Sequence, residues 1–492
     1  MSKSNYLMPL AISTALLLTG CSIGPDYQVP TVTLEETYMN AQNTDSFEET
    51  AGWWYRFDDP VLNQLVEEAQ QQNISLRVAS ERIQMAKNYH KIVESYKLPT
   101  VNIGAGYYHY QISENTPLVG DLVSPISVPA NLQPALGSSV SVADNQQSGL
   151  LLGASVGWEL DLFGRIEHQT QAAQIRTEQS VIYRKGLYTL ITAEVIHNYL
   201  QLRGAQERIQ VLGESISDQR EILSLTLKVM DSGFGSELDV AQARANLAAV
   251  ESVLPQLKVS EQVHKHRLSI LLEKSLRDID AQLAAPGKIK EIEGVIPTGL
   301  PSDLLSRRFD IAFAEREMAA INQEVGAAVA NQYPKFFLTG APGLSAGDFS
   351  DLFNSDSLGW VGSAGISWNV FDAGRGDAMV AFNEARFKSA VLEYQNRVDT
   401  AFKEVDSMLF TYGRSKENQA KVNVATNETA KAVDKAKSLY KAGLVDSFSV
   451  LDAQRQLNMM RDQQVIAKLQ TSEVTVKLYK ALGGDWSLPE SQ

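Results

Sequence analysis

Residues 150–165 read Leu150-Leu151-Leu152-Gly153-Ala154-Ser155-Val156-Gly157-Trp158-Glu159-Leu160-Asp161-Leu162-Phe163-Gly164-Arg165. Residues 360–375 read Trp360-Val361-Gly362-Ser363-Ala364-Gly365-Ile366-Ser367-Trp368-Asn369-Val370-Phe371-Asp372-Ala373-Gly374-Arg375. In both, apolar side chains recur at every second position and face away from small, polar or acidic ones, the pattern of a strand with one apolar side. Both carry a tryptophan at the same place and both end in Gly-Arg. An offset of 210 residues (158 to 368) superimposes them and continues without a gap. It carries Arg176 to Arg386, Glu194-Val195 to Glu404-Val405, Gly233 to Gly443, and Leu268 and Leu272 to Leu478 and Leu482. One offset that serves so long a stretch, turn glycines included, marks a duplicated supersecondary unit.

Upstream of each stretch lies a helix that ends at a proline. The first spans roughly Ile74 to Tyr96 before Leu98-Pro99, the second roughly Asp303 to Gln332 before Tyr333-Pro334. Strand follows at once: Val101, Ile103, Ala105 and Tyr107 alternate with Asn102, Gly104, Gly106 and Tyr108. Residues Gln111 to Ser148 and Gly343 to Leu358 read as exposed loops. The two prolines are 235 residues apart (99 to 334), 25 more than the offset, so the extra residues belong to the first hairpin.

Downstream of each Gly-Arg the period changes to 3.5. Phe387, Val391, Tyr394, Val398, Ala401, Val405, Met408 and Tyr412 form a coiled-coil seam. No proline occurs from Arg165 to Val253 or from Arg375 to Leu488. A helix from Arg165 to Met230 runs about 100 Å at 1.5 Å per residue. Gly233 and Gly443 stand where each long helix must turn, because glycine takes the left-handed conformation that closes a helix. Returning helices are expected over about Glu237 to Glu273 and Ser447 to Leu482. The boundaries that follow are 1–20 signal, 21–98 N-terminal segment and first helices, 99–163 first hairpin, 164–279 first helical hairpin, 280–302 linker, 303–333 helix, 334–373 second hairpin, 374–484 second helical hairpin and 485–492 tail.

The N-terminus reads as a targeting segment. Lys3 supplies the positive start, Tyr6 to Leu18 the apolar stretch, and Leu18-Thr19-Gly20-Cys21 resembles a lipoprotein cleavage site at which Cys21 is acylated. An ordinary signal peptide with a chance cysteine is the alternative. Ser22 after the cysteine suggests export to the outer membrane. Cys21 is the only cysteine, which excludes a disulfide framework and a cysteine-rich metal site. The formal charge of −14 disfavours nucleic acid as a partner.

The rest of the chain has no apolar run of membrane length, so a membrane crossing must be made by strands in a closed barrel. Four strands cannot close one; the smallest membrane barrels have about eight. The expected fold is therefore a mixed α and β membrane protein in which copies of the chain share a barrel. The long helical hairpins hang from one side of it and pack as a tube.

The residues also resemble a known family. The lipobox, Gly24-Pro25-Asp26-Tyr27-Gln28-Val29-Pro30 and Trp53-Trp54-Tyr55-Arg56-Phe57-Asp58-Asp59-Pro60-Val61-Leu62 look like the start of outer-membrane efflux lipoproteins, the OprM/NodT-like branch of the TolC family. Arg308-Phe309-Asp310-Ile311 resembles that family's Arg-Pro-Asp-Ile, with Phe309 in place of proline. Phe371-Asp372-Ala373-Gly374-Arg375 and Leu451-Asp452-Ala453-Gln454-Arg455 also fit.

The resemblance implies a homotrimer with a 12-stranded barrel and a periplasmic α-helical barrel. It implies an exit duct for drugs or other toxic compounds, working with a periplasmic adaptor and an inner-membrane pump of the RND, MFS or ABC type. It places a gate at the helix tips. Asp452 matches an acidic ring, Phe448 an apolar ring, and Arg455 and Tyr440 match side chains that bond neighbouring helices. Asp239 matches an acidic position in the first copy. Ser449 stands where some members carry a second aspartate and Gln242 at the equivalent of Asp452, so one acidic ring or two remains open. The alternative for Asp452 and Arg455 is an ordinary pair across one helical turn.

The six histidines are scattered, and no phosphate loop, zinc spacing or Ser-His-Asp order is present. The reading is therefore not an enzyme, with no cofactor, and energy for transport comes from a partner. A trimeric coiled-coil spacer or adhesive lipoprotein without an open lumen is the alternative of a different class.

Overall fold

In the computed structural model the described residues are 23–40, 52–113, 146–292 and 298–484, with 115–117, 124, 126–127, 129, 133, 139–140 and 296 between them. Cys21 and the expected signal lie outside the described residues. The chain divides into two compact units, one holding Lys87–Gln174 with Ala319–Phe387, the other Gln28–Ala86, Ile175–Met318 and Lys388–Gln492.

The first unit is built on one antiparallel sheet. Its strands are β1 (Thr100–Gln111), β4 (Gln146–Leu160), β5 (Lys335–Ala346) and β6 (Leu358–Ser367), in the order β1-β4-β5-β6. Two short strands, β2 (Ile126–Ser127) and β3 (Ser139–Val140), pair within what reads from sequence as an irregular loop. The register carries the alternation across the sheet. Ile103 lies opposite Ala154, Leu152 opposite Leu344, and Leu344 opposite Leu358. Paired residues share a face, so most apolar positions of the four strands fall on one side, with Leu151, Phe337 and Val361 on the other. The other side holds Asn102, Ser155, Thr339 and Ser363, which line a hollow of the sheet. Ile103 is 83% exposed and Trp360 81%, an apolar face that nothing in the single chain covers.

The strands differ from the sequence reading in detail. Strand β5 runs on to Ala346, into the stretch from Gly343 that reads from the sequence as a loop. Strand β6 ends at Ser367, so Trp368 and Val370 lie beyond it. The β4–β5 ladder breaks between Gly153 opposite Gly343 and Val156 opposite Gly340. Pro342 sits in that gap and has no N–H to give.

The two tryptophans that mark the repeat do the same work. Trp158 Nε1 donates to the Lys97 carbonyl and Trp368 Nε1 to the Gln332 carbonyl, each at 2.9 Å. Each acceptor lies two residues past the end of a helix and two before a proline, where a carbonyl has no helical partner. Those helices are α2 (Ile74–Ser95), which follows α1 (Pro60–Gln72), and α8 (Phe309–Ala330).

Helices α3 (Arg165–Asp231) and α9 (Arg375–Lys441) are each 67 residues long. Aspartates start both: Asp161 Oδ2 accepts from Glu167 N at 2.7 Å, and Asp372 Oδ2 from Gly376 N at 2.8 Å. Carboxylates there satisfy orphan N–H groups and complement the helix dipole. On α9, Tyr394, Val398, Ala401, Val405 and Tyr412 of the 3.5-period seam are buried.

The returning helices are not alike. In the second copy α10 runs unbroken over Ser447–Ala481. In the first, the expected single helix is split into α4 (Glu237–Glu251) and α5 (Leu254–Leu271), followed by the short α6 (Leu276–Gln282). Pro255 is the cause: it sits at the start of α5, where its missing N–H does no harm, and it cannot continue a helix from before. The helix expected from Asp303 is likewise broken, into α7 (Leu304–Arg307) and α8, at Arg308. No described helix is long and apolar enough to cross a membrane.

Candidate functional site

The second unit carries the two hairpin tips, and both turns close in the same way. Gly233 has φ 81° and Gly443 φ 73°. Gly233 N donates to Met230 O and Phe234 N to Val229 O; Gly443 N donates to Tyr440 O and Leu444 N to Leu439 O. That double bond pattern satisfies the last carbonyls of α3 and α9.

The helices that leave the turns are capped with the residue types exchanged. In the first copy Ser236 is the cap and Asp239 the third helical residue; in the second Asp446 is the cap and Ser449 the third. Asp239 Oδ2 accepts from Ser236 N at 3.1 Å and Ser236 Oγ at 2.7 Å, while Asp239 N donates to Ser236 Oγ at 3.2 Å. Asp446 Oδ1 accepts from Ser449 N at 2.9 Å and Ser449 Oγ at 2.7 Å, bonds that hold its carboxyl below the usual carboxylate range. The carboxylate of Asp239 is thus committed to a capping box. Ser449, where the resemblance sets a second aspartate in some members, is the counterpart of Asp239 in the same motif.

The tips also expose an exchanged apolar pair. Phe234 is 90% exposed with Leu238 nearby in sequence; Leu444 and Phe448 occupy the matching positions, Phe448 at 61%.

Asp452 and Arg455 lie one turn apart on α10. Arg455 Nη2 donates to Asp452 Oδ1 and Gln456 Nε2 to Asp452 Oδ2, each at 2.7 Å. The Arg455 bond chiefly holds the Asp452 carboxyl below its ordinary range. The sequence comparison expects Arg455 to bond a neighbouring helix; within the chain its partner is on its own helix, because a three-residue spacing brings the two side chains together. Tyr440 is partly exposed and lines a hollow with Asp218, Lys437, Val450 and Gln454.

Bonds between the two copies come instead from residues that the sequence does not single out. Gln454 Nε2 on α10 donates to Asp218 Oδ2 on α3 at 2.6 Å. Arg208 Nε and Nη2 grip Asp462 at 2.7 and 3.0 Å, a bidentate pair, and Arg461 reaches Glu214 at 3.4 Å. Burial pushes the Asp218 carboxyl up. Farther along, His197 Nδ1 meets Glu473 Oε1 at 3.1 Å, and Gln201 also donates to Glu473. These partners are more than 200 residues apart, so no local spacing announces them.

Comparison with known proteins gives this geometry its setting. The model of the family described as outer membrane efflux protein matches residues 65–272 and 300–484. The chain belongs to the outer membrane efflux protein family. It is 30% identical over 501 residues to the probable efflux pump outer membrane protein TtgC of Pseudomonas putida, covering 99% of this chain and 96% of that one. It is 26% identical to the cation efflux system protein CusC of Escherichia coli, covering 98% of each. Among solved structures it matches the outer-membrane channel OprN with a TM-score of 0.83 and 31% identity, over 95% of this chain and all of that one. It is an outer-membrane efflux channel of the TolC family, located in the outer membrane of a Gram-negative bacterium.

Phe309 stands where the resemblance leads to the expectation of a proline, and the structure shows how the chain does without one. Arg308 keeps the extended backbone (φ −89°, ψ 121°) that a following proline would impose. Its guanidinium holds that shape by bonding Asp310 at 2.8 and 3.0 Å, Glu404 at 2.7 Å and the Ala481 carbonyl at 3.0 Å. Burial raises the Asp310 carboxyl, and the Arg308 bonds outweigh it and hold it below its ordinary value. The Phe309 ring lies over Gly186, where a Cβ would come within 2.1 Å of it.

Proposed function

We propose that three copies close a 12-stranded barrel and that the chain works as the exit duct of a tripartite pump. The observation that carries this reading is the open four-stranded sheet, apolar on one face and polar on the other. Its outer strands β1 and β6 have unpaired edges, which in lipid must find partners. Three copies supply enough strands for closure, with the apolar face toward lipid and the Asn, Ser and Thr face toward a wet lumen. The long helices α3, α4–α5, α9 and α10 then continue the duct as a periplasmic α-helical barrel. A periplasmic adaptor and an inner-membrane pump of the RND, MFS or ABC type supply the energy and the cargo, drugs or other small toxic compounds. Acylation of Cys21 adds a lipid anchor.

The gate belongs at the hairpin tips, with Asp452 and Phe448 facing the axis and Arg455, Tyr440 and Asp239 beside them. Its restraint includes the bonds from α3 to α10. Mass measurement in mild detergent and conductance in a planar bilayer test the reading together. A trimer that conducts supports it. A dominant monomer removes the shared barrel, and a trimer without conductance favours a coiled-coil spacer.

A further inference from the structure

A cavity of about 310 Å³ lies between α3, the α4–α5 break and α10. Its walls are mostly apolar, from Val211 and Leu212 of α3, Val250 and Val253 at the break, Leu257 of α5 and Met459 of α10. The cavity lies where Pro255 splits the returning helix of the first copy, whereas α10 is unbroken in the second.

Two polar atoms in this lining have no partner. Gln219 is 3% exposed and its Oε1 accepts nothing. Asn458 turns its Oδ1 to Gln454 Nε2 at 3.4 Å, which leaves its buried Nδ2 without an acceptor. Natural interiors rarely leave such groups unpaired. An apolar pocket with a few placed polar groups is the ordinary form of a small-molecule site. The charged groups at the rim are already engaged, Arg455 by Asp452 and Asp462 by Arg208. A charged guest would find no free counter-ion here.

We propose that this cavity is a binding site for a small, uncharged, mainly apolar molecule bearing one amide-like group. Its N–H donates to Gln219 Oε1 and its oxygen accepts from Asn458 Nδ2, while its apolar part fills the space between Leu212, Val250 and Met459.

Acetanilide, an aromatic ring with one secondary amide, is the probe. The full-length protein, purified in detergent, is titrated with it by saturation-transfer NMR. The expected result is saturable binding, weakened about tenfold by Gln219→Leu and by Asn458→Leu, as the loss of one well-made hydrogen bond implies. Val250→Phe, which fills the space, should abolish binding. Ethylbenzene, which lacks the amide, should bind wild type and Gln219→Leu alike. Gln219→Leu removes an unpaired polar group, so it should melt no lower than wild type, and its weaker binding then reports the site and not misfolding. Binding that never saturates, or that all three variants leave unchanged, is partition into detergent and overturns the proposal. So does a structure of the acetanilide-soaked protein in which water alone, or a side chain of a second copy, fills the cavity.

Discussion

Trp158 donates its indole N–H to the Lys97 carbonyl at 2.9 Å, and 210 residues later Trp368 does the same to Gln332. A strand end is thereby tied to the helix that precedes the hairpin, once in each copy. Replacing Trp158 with Phe keeps most of the ring and removes the bond. The expected loss is about 1 kcal/mol, read as a lower melting temperature of the detergent-solubilised protein. Trp368→Phe should act in the same direction. A drop in only one variant would mean that the two copies are equivalent in shape but not in anchoring.

The exchanged caps give a second test. Ser236→Ala deletes the cap of α4 and frees Asp239, at an expected cost of about 1 kcal/mol. Hydrogen exchange in the first turn of α4 should speed up, and that in α10 should not. In the second copy the cap itself is a carboxylate. Because the Asp446 carboxyl is held low, its contribution is present above the unfolded value of 3.8 and is lost as pH falls through its folded value. Protection in the first turn of α10 should therefore fade in acid.

Much of this architecture is legible in the sequence because it rests on local physics. Period-two alternation at Leu150 to Leu160 needs no partner to be seen, and neither does the 3.5-residue seam on α9. The turns at Gly233 and Gly443 are visible because only a left-handed residue fits there. What escapes is of two kinds. Pro255 and Arg308 break helices whose apolar pattern runs on through the break, so periodicity overrides the one residue that decides. The bonds from Arg208 to Asp462 and from Gln454 to Asp218 join residues that only the fold brings together. The pair of Asp452 and Arg455 is the intermediate case. Its spacing permits a bond within the helix, and the single chain makes that bond.

His197 and Glu473 should give α3 and α10 a pH-dependent tie. The Glu473 bond raises the His197 imidazole above 6.5, against burial. Burial raises the Glu473 carboxyl, but His197 and Gln201 outweigh it and hold it below 4.5. The histidine's contribution is full below 6.5 and is lost as pH rises through its higher folded value. The glutamate's is present above 4.5 and is lost as pH falls through its lower one. The tie is therefore complete between about 4.5 and 6.5. His264 opposes it: burial, with His197 and Arg267, lowers that imidazole, so its neutral form is favoured and acid weakens the fold there. Glu194 and Lys477 also face the pair. His197→Gln should lower the melting temperature more at pH 6 than at pH 9. An equal loss at both values would show that the ring acts by packing alone.

Cys21 carries a separate expectation. If it is acylated, labelled palmitate should enter the wild-type protein and not Cys21→Ala. An acyl chain contributes about 0.8 kcal/mol per buried methylene, whereas a barrel is far harder to extract. With a replaced signal, Cys21→Ala should therefore still fractionate with the outer membrane.

The gate is tested at Asp452. In a three-fold assembly an Asp452 ring brings three carboxylates toward the axis, and each disfavours the ionisation of the others. In the single chain Arg455 and Gln456 already hold the carboxylate charged, each with a bond of 2.7 Å. The ring can thus stay ionised without help from a neighbouring helix, and it can attract cations. Asp452→Ala should weaken cation preference and block by trivalent cations in a planar bilayer, with little change in resting conductance. The proposed restraint of the tips rests on Tyr440 and Arg455 and on the ties from α3 to α10. Tyr440→Phe with Arg455→Ser should raise resting conductance and make cells leak large antibiotics. Arg208→Ser with Gln454→Leu should do so as well, since it cuts two bonds between the copies. If the second pair of substitutions opens the channel and the first does not, the restraint lies in those ties. If neither does, the constriction lies elsewhere in the duct. If Asp452→Ala leaves selectivity untouched, that carboxylate faces solvent outside the lumen, and its pair with Arg455 is an ordinary feature of a helix surface.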